Sequence, residues 1–214
     1  MKQIQLEHIT KRFGDHVIIK DFNYVFESGK IIAVTGESGC GKSTLLNMIG
    51  LMELPTEGKI QYDTYGEVTM RKRNAIKLLR NEISYIFQNY ALLEDETVYQ
   101  NMCLAMEYHA VKNKKEYIIK KLAEVGLDQA YVTKKIYELS GGEQQRVAIA
   151  RALSKPCSLI LADEPTGNLD KVNAAEVFSI LKRVSREGKC VILVTHDKEL
   201  AEQCDEVIQL NKLK

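Results

Sequence analysis

The chain has 214 residues, 45% of them apolar and 28% charged, which is enough for a real core in one compact domain or two small lobes and argues against disorder. Thirty Lys and Arg against 29 Asp and Glu leave a net charge of +1, so binding to nucleic acid through bulk charge is excluded and only a local basic patch stays open. No apolar run approaches the roughly 20 residues that cross a bilayer; the best, Leu45 to Met52, is short and broken by Asn47 and Gly50.

Met1 to Thr10 alternates polar and apolar residues and carries Glu7, so neither a secretory signal peptide nor membrane spanning is expected. Ile4, Leu6 and Ile9 mark one strand, and Phe22, Tyr24 and Phe26 alternate in another. The first thirty residues therefore predict antiparallel sheet, ending in a Ser28-Gly29 turn. Ile31 to Val34 is a continuous apolar run of the kind found in strands buried on both faces.

Straight after that run, Gly36-Glu37-Ser38-Gly39-Cys40-Gly41-Lys42-Ser43 fits G-x-x-x-x-G-K-[ST], followed by Thr44 and a helical pattern from Leu45 to Ile49. A strand before and a helix after are the context this motif requires. Its glycines let successive N–H groups curl toward one anion, and the helix N-terminus adds positive potential. Lys42 is placed to reach the β- and γ-phosphates and the Ser43 hydroxyl to ligate Mg²⁺. Cys40 is expected to contribute only its backbone N–H. With Cys103, Cys157, Cys190 and Cys204 it makes an odd set without a CxxC pair, which reads as reduced thiols rather than a disulfide framework or a zinc site.

Further on, Arg71, Lys72, Arg73, Lys77 and Arg80 lie near a helix that includes Ile76 and Leu79, and Lys112, Lys114, Lys115, Lys120 and Lys121 decorate a later one. Both clusters read as solvated helix faces. From about Tyr90 to Leu153 the pattern is mostly helical. Lys114 to Val125 puts Ile118, Leu122 and Val125 on one face with Gly126 as the stop, and Gly142 to Leu153 is a second helix. This stretch predicts a helical lobe inserted into the rest. Leu159 to Ala162 and Val191 to Val194 repeat the buried-strand pattern, each leading through polar residues into a helix, so the core is α/β with a parallel sheet. The first of these strands ends in Asp163 and Glu164, at the rim where α/β proteins bind ligands. Asp163 is placed to hold Mg²⁺ and Glu164 to polarise a water attacking the γ-phosphate. Pro165 keeps Glu164 out of a helix.

Leu139-Ser140-Gly141-Gly142-Glu143-Gln144-Gln145-Arg146 resembles the signature of ATP-binding-cassette (ABC) ATPases, and the chain then resembles that family along essentially its whole length. Gln88, in Tyr85-Ile86-Phe87-Gln88-Asn89, matches the family's Q-loop. Gly167-Asn168-Leu169-Asp170 matches its D-loop, and His196, in Val194-Thr195-His196-Asp197, its switch histidine. Phe13 stands where the family stacks an aromatic ring on adenine. The resemblance implies a P-loop NTPase (RecA-like) core with an antiparallel β subdomain over 1–88 and 157–214, and a helical signature-motif subdomain over 89–156. It implies ATP and Mg²⁺ as ligands. Phe13, Gly36, Glu37, Ser38, Gly39, Cys40, Gly41, Lys42, Ser43 and Thr44 would contact nucleotide, together with Ser140, Gly141, Gly142 and Asp170. Ser43, Gln88 and Asp163 would hold the metal, and Glu164, His196 and Gln88 would serve catalysis.

In the family, ATP lies between the phosphate loop of one subunit and the signature of another, so the resemblance implies a head-to-tail dimer of two copies that closes on ATP, with Ser140 and Gly142 acting in trans. It departs from the common pattern at Gly167, where many relatives have Ser, and at Glu143, where Gln is commoner. Glu164 to Asp170 resembles the branch of macrolide exporters, lipoprotein-release ATPases and antimicrobial-peptide exporters, and Phe87 to Leu92 is similar to lactococcin-type bacteriocin export ATPases. The expected function is the ATPase subunit of a transporter that exports a peptide or bacteriocin, a lipoprotein or an antimicrobial. A separate transmembrane permease would hold it on the cytoplasmic face of the membrane, docking between the helical lobe and the Gln88 loop. Asn89 to Glu96, where Tyr90, Leu92 and Leu93 mix with acids, reads equally as partner-facing surface or internal packing. Two alternatives stay open: a mechanical-signalling complex of the same branch that moves no cargo, and a soluble ABC ATPase acting on DNA or ribosomes. The near-neutral chain has neither the long coiled coil nor the second cassette of the latter, and no nucleic-acid partner is expected. A binding module without turnover is disfavoured by Glu164 and His196.

Overall fold

The computed structural model describes residues 1–68 and 73–213. Along the chain run β1 (Gln3–Phe13), β2 (His16–Glu27), β3 (Ile31–Gly36), α1 (Lys42–Ile49), β4 (Glu57–Tyr62), β5 (Gly66–Glu67), α2 (Arg73–Asn81), β6 (Ile83–Ile86), α3 (Val98–Ala105), α4 (Lys114–Ala123), α5 (Gly141–Leu153), β7 (Leu159–Asp163), α6 (Lys171–Arg186), β8 (Cys190–Val194), α7 (Lys198–Ala201) and β9 (Glu206–Leu210). Two sheets result: an antiparallel one in the order β2-β1-β4-β5 and a parallel one in the order β6-β7-β8-β3-β9. This is the α/β architecture with an antiparallel β subdomain expected from the sequence.

The parallel sheet explains the continuous apolar runs. Ile31, Ile160, Ala162, Val191 and Leu193 face a core shared with α3, α4, α5 and α6. Their neighbours Ile32, Val34, Leu159, Leu161, Ile192 and Val194 face a second core with α1 and the antiparallel sheet. Successive residues point to opposite faces, so a strand covered on both sides needs apolar residues at every position. Burying each such side chain contributes about 1.5–3 kcal/mol.

Two strands of this sheet escape a reading by apolar runs. In β6 the run is broken by Ser84, which is buried because its hydroxyl donates to the Ala152 carbonyl at 2.7 Å. The edge strand β9 buries only Ile208 and Leu210 fully. In β1 the alternation slips between Leu6 and Ile9 because of a register shift against β2, where His8 adopts φ 52°.

The expected helices form with small changes of boundary. The helix expected from Lys114 closes at Ala123 in a left-handed turn at Gly126 (φ 78°), where Gly126 N–H donates to Ala123 and Leu127 N–H to Leu122. On α2 it is Ala75 and Leu78 that are buried, while Ile76 and Leu79 are exposed; Arg71 and Lys72 lie outside the described residues. Among the described residues no helix is long and apolar enough to cross a membrane, and all five cysteines are free thiols.

Candidate active site

β3 lies between β8 and β9, so its end at Gly36 opens on the C-terminal rim of the parallel sheet, where loops of α/β folds bind ligands. A Cβ on Gly36 would stand 2.3 Å from the Leu210 carbonyl oxygen and 2.6 Å from Cys40 Sγ. Gly39 (φ 77°) and Gly41 (φ 100°) take the left-handed conformation that other residues avoid. Gly41 packs against Ile18, whereas a Cβ on Gly39 would project into open space. Cys40 is buried against Gly36, so what it offers a ligand is its backbone. Gly41 caps α1, whose first turn holds no acid; the positive end of the helix is unopposed. Lys42 Nζ folds back to donate to the carbonyls of Gly36 (2.9 Å) and Glu37 (3.0 Å).

β7 brings Asp163 to the same rim, where Ser43 Oγ donates to its Oδ1 at 3.1 Å. Burial holds the Asp163 carboxyl above the usual carboxylate range; the Ser43 hydrogen bond opposes this and neighbouring Glu164 adds to it. The folded chain therefore binds a proton at Asp163 more readily than the unfolded chain. The ionised carboxylate thus costs stability at neutral pH, and the cost fades as pH falls through the raised value toward the ordinary one. Asp163→Asn, which retains an oxygen for Ser43, is expected to raise the melting temperature in EDTA at neutral pH. Calorimetry should show the gain shrinking in acid, while Mg²⁺-dependent hydrolysis is lost. A lower melting temperature at neutral pH would contradict this.

Glu164 sits on a loop, as Pro165 suggested, but in the left-handed region (φ 46°) rather than the extended one. That conformation costs a non-glycine residue about 1–2 kcal/mol. Its N–H donates to Val194 O and its carbonyl accepts from Gly167 N–H, both at 3.1 Å. Its Oε2 lies 2.8 Å from His196 Nδ1. The carboxylate is mostly shielded while His196 is largely exposed.

Ser140 is the N-cap of α5 in a reciprocal capping box. Its N–H and Oγ donate to Glu143 Oε2 (2.7 and 2.9 Å), and Glu143 N–H returns to Ser140 Oγ. Tyr131 holds the other Glu143 oxygen at 2.5 Å and, as the largest influence, keeps that carboxyl below its usual range. This accounts physically for Glu143: an acid serves the box and the helix end. Gly142 allows α5 to approach α6, since a Cβ there would stand 2.4 Å from Asn173 Oδ1. Gly141 and Ser140 are exposed. Asp170 is the N-cap of α6, accepting from Val172 N–H (3.0 Å) and Asn173 N–H (3.1 Å), and its carboxyl is held low chiefly by the Asn173 side chain.

Ile86 pairs with Ala162, so β6 carries the exposed Gln88 out beside Asp163 and Glu164. Phe13 ends β1 half-exposed, with the Lys11 ammonium 4.8 Å from its ring centroid; it belongs to neither core. Ser43 with Asp163, and Glu164 with His196, are thus joined directly. Among the described residues no hydrogen bond or ion pair links Gly36–Thr44 to Ser140–Gly142.

Three polar residues near the site were given no role from the sequence. Gln145, fully buried, donates to the Pro165 carbonyl at 2.6 Å. Arg146 bonds Asn173 Oδ1 at 3.1 Å and pairs with Glu176. Arg151 reaches the loop after Gln88. Polar residues at core positions of a helical pattern were the available signal.

The donors present fit Mg-nucleotide. Mg²⁺ favours oxygen ligands and takes one or two carboxylates, completing its shell with phosphates and water. Ser43 and Asp163 offer a hydroxyl and a carboxylate, and the open space at Gly39 adjoins the N-terminus of α1.

Known proteins share this chain's sequence and fold. Residues 19–167 match a family model described as ABC transporter. The chain is 39% identical over 209 residues to the macrolide export ATP-binding/permease protein MacB of Campylobacter jejuni, covering 97% of this chain and 32% of that protein. It is 38% identical over 213 residues to the lipoprotein-releasing system ATP-binding protein LolD of Aquifex aeolicus, covering 97% of this chain and 93% of LolD. It thus spans about a third of the MacB length and nearly all of LolD. Among solved structures, the dimeric bacterial ABC transporter cassette MJ0796 superposes with a TM-score of 0.86 at 33% identity, covering 97% of this chain and 94% of that one. MJ0796 is also known as a dimer in a post-hydrolysis state bound to ADP and Pi.

Proposed function

The chain belongs to the ABC transporter family, and on that premise we propose that two copies, joined head to tail, bind and hydrolyse two ATP molecules and drive a separate membrane permease. The observation that carries this is the division of phosphate-binding features within one chain. Lys42, Ser43, Asp163, Glu164 and His196 gather at one rim. The N-terminus of α5, exposed at Ser140 and Gly141, is a second anion-binding helix end that has only Glu143 in its first turn. A second copy supplies each half with its complement. Lys42 exchanges the carbonyls of Gly36 and Glu37 for phosphate oxygens, Glu164 accepts a proton from the attacking water, and His196 holds Glu164 and the γ-phosphate in register. Bound Mg²⁺, held by Ser43, Asp163 and Gln88, supplies charge neutralisation at the phosphates. Phe13 offers its exposed ring to adenine. Asp170 keeps the start of α6 at the dimer seam, and the lobe over 89–156 presents the signature.

A groove of about 390 Å³ lined by Met52, Leu79, Phe87, Ala91, Leu104 and Arg151 lies beside the Gln88 loop. We assign it to the permease, which places the chain peripherally on the cytoplasmic face of the membrane. Within the acidic stretch after Gln88, Leu92 packs on the core and Leu93 is exposed, so only part of it is free for a partner. The cargo reading follows the named relatives, which include a macrolide exporter, a lipoprotein-releasing ATPase and a protein named as a probable syringafactin exporter: a peptide or bacteriocin, a lipoprotein or an antimicrobial, selected by the permease. The test is the order of the reaction. With saturating Mg-ATP, hydrolysis by dilute chain is expected to rise with the square of protein concentration, because the active species is the dimer. A rate linear down to the lowest concentration would refute the dimer requirement.

A further inference from the structure

After Gln88 the chain makes a turn that its residues do not favour. Tyr90 (φ 62°) and Ala91 (φ 49°) are consecutive non-glycine residues in the left-handed region. Such a turn persists only where its surroundings over-determine it. Two short-range hydrogen bonds contribute, Tyr90 N–H to Phe87 O at 3.0 Å and Ala91 N–H to Asn89 O at 2.7 Å. The remaining hold comes from far along the chain. Arg151, in the last turn of α5, donates from Nη1 to Ala91 O at 2.6 Å and from Nη2 to Tyr90 O at 2.9 Å. One planar guanidinium thus grips both strained peptides. Among the described residues it pairs with no carboxylate, and burial alone pushes its pKa down. It is a partly buried charge whose partners are these two carbonyls.

The same tyrosine reaches to the other end of α5. Its hydroxyl lies 3.4 Å from where a Gly141 Cβ would stand, at the start of α5, and near the Asn168 side chain in the loop before Asp170. Tyr90 therefore lies along the signature helix, its carbonyl tied at the C-terminal end and its hydroxyl beside the N-terminal end.

We propose that Arg151 is the positioning residue of the Gln88 loop, clamping Tyr90 and Ala91 so that Gln88 is fixed to the helix whose first residues meet the partner copy's ATP. A shift of α5 on dimer closure is delivered to Gln88 through this clamp. The proposal rests on the reading of Gln88 as a metal contact, so its test separates the two.

Amide hydrogen exchange is measured on nucleotide-free wild type, Arg151→Ala, Arg151→Lys and Gln88→Ala, and the Mg²⁺ concentration for half-maximal ATP hydrolysis is measured on each. In Arg151→Ala, exchange over 87–93 is expected to quicken by about tenfold or more with β7 unchanged, and the Mg²⁺ requirement to rise several-fold. Arg151→Lys, whose ammonium lacks the planar fork that matches both carbonyls, falls between. Gln88→Ala raises the Mg²⁺ requirement with the loop still protected. Unchanged exchange over 87–93 in Arg151→Ala, or quickening spread equally over β7, would overturn the clamp. A quickened loop with an unchanged Mg²⁺ requirement in both Arg151→Ala and Gln88→Ala would leave the clamp standing and remove Gln88 from the metal.

Discussion

Glu164→Gln is expected to lower the turnover rate by ~10²–10⁴-fold, the range for loss of a general base, while ATP binding survives and ATP-loaded chains accumulate as dimers. The amide matches the carboxylate in shape, and the left-handed backbone at this position is set by main-chain bonds to Val194 and Gly167 that the substitution does not touch. The amide also still reaches His196 Nδ1 through whichever atom suits the imidazole tautomer. What it cannot do is take a proton from water. Closure uses binding contacts alone, and opening follows hydrolysis, so blocking hydrolysis leaves the ligand-favoured state populated. Single-turnover kinetics with light scattering in ATP checks both halves. Hydrolysis within a few-fold of wild type would remove Glu164 from its role.

What could be read from the sequence was what the chain keeps contiguous. The phosphate loop is one run of residues between one strand and one helix, and its glycines have positive φ or no room for a side chain. The strands β3, β7 and β8 announce themselves because both faces are covered. What could not be read were bonds between distant segments. Nothing local to Gln145 says that its amide meets the Pro165 carbonyl, or to Arg151 that it holds a turn sixty residues earlier. Asn173 drew no notice, yet it links Asp170 to Arg146 and fixes the space that makes Gly142 necessary. At Glu164 the sequence kept the residue out of a helix but did not show its left-handed backbone, which bonds from β8 and the following turn hold. On α2 a helix too short to show its period buries Ala75 and Leu78 and leaves the larger Ile76 outside.

Lys42→Ala and Gly141→Asp are each expected to abolish hydrolysis, for opposite reasons. The first removes the ammonium that serves the β- and γ-phosphates. Hydrogen bonds to charged groups are worth ~1.5–3 kcal/mol each, so losing two weakens ATP binding by about 100-fold or more. The loop itself keeps its path, because Gly36, Gly39 and Gly41 set it. The second leaves the chain's own phosphate loop untouched. Gly141 is exposed at the first position of α5, and its Cβ would meet only Tyr90 Oη, at 3.4 Å. An aspartate there suits the helix end and repels the partner's γ-phosphate. Titration calorimetry should find ATP binding lost in Lys42→Ala and kept by monomeric Gly141→Asp.

Mixing these two inactive variants is the most direct test of a pocket shared between copies. In a mixed dimer, one site combines the intact phosphate loop of the Gly141→Asp chain with the intact signature of the Lys42→Ala chain. Equal parts should regain a clear fraction of wild-type hydrolysis, at most about half, since each mixed dimer holds one good site of two. If each chain works alone, the mixture stays as inactive as its components, and the shared pocket is wrong.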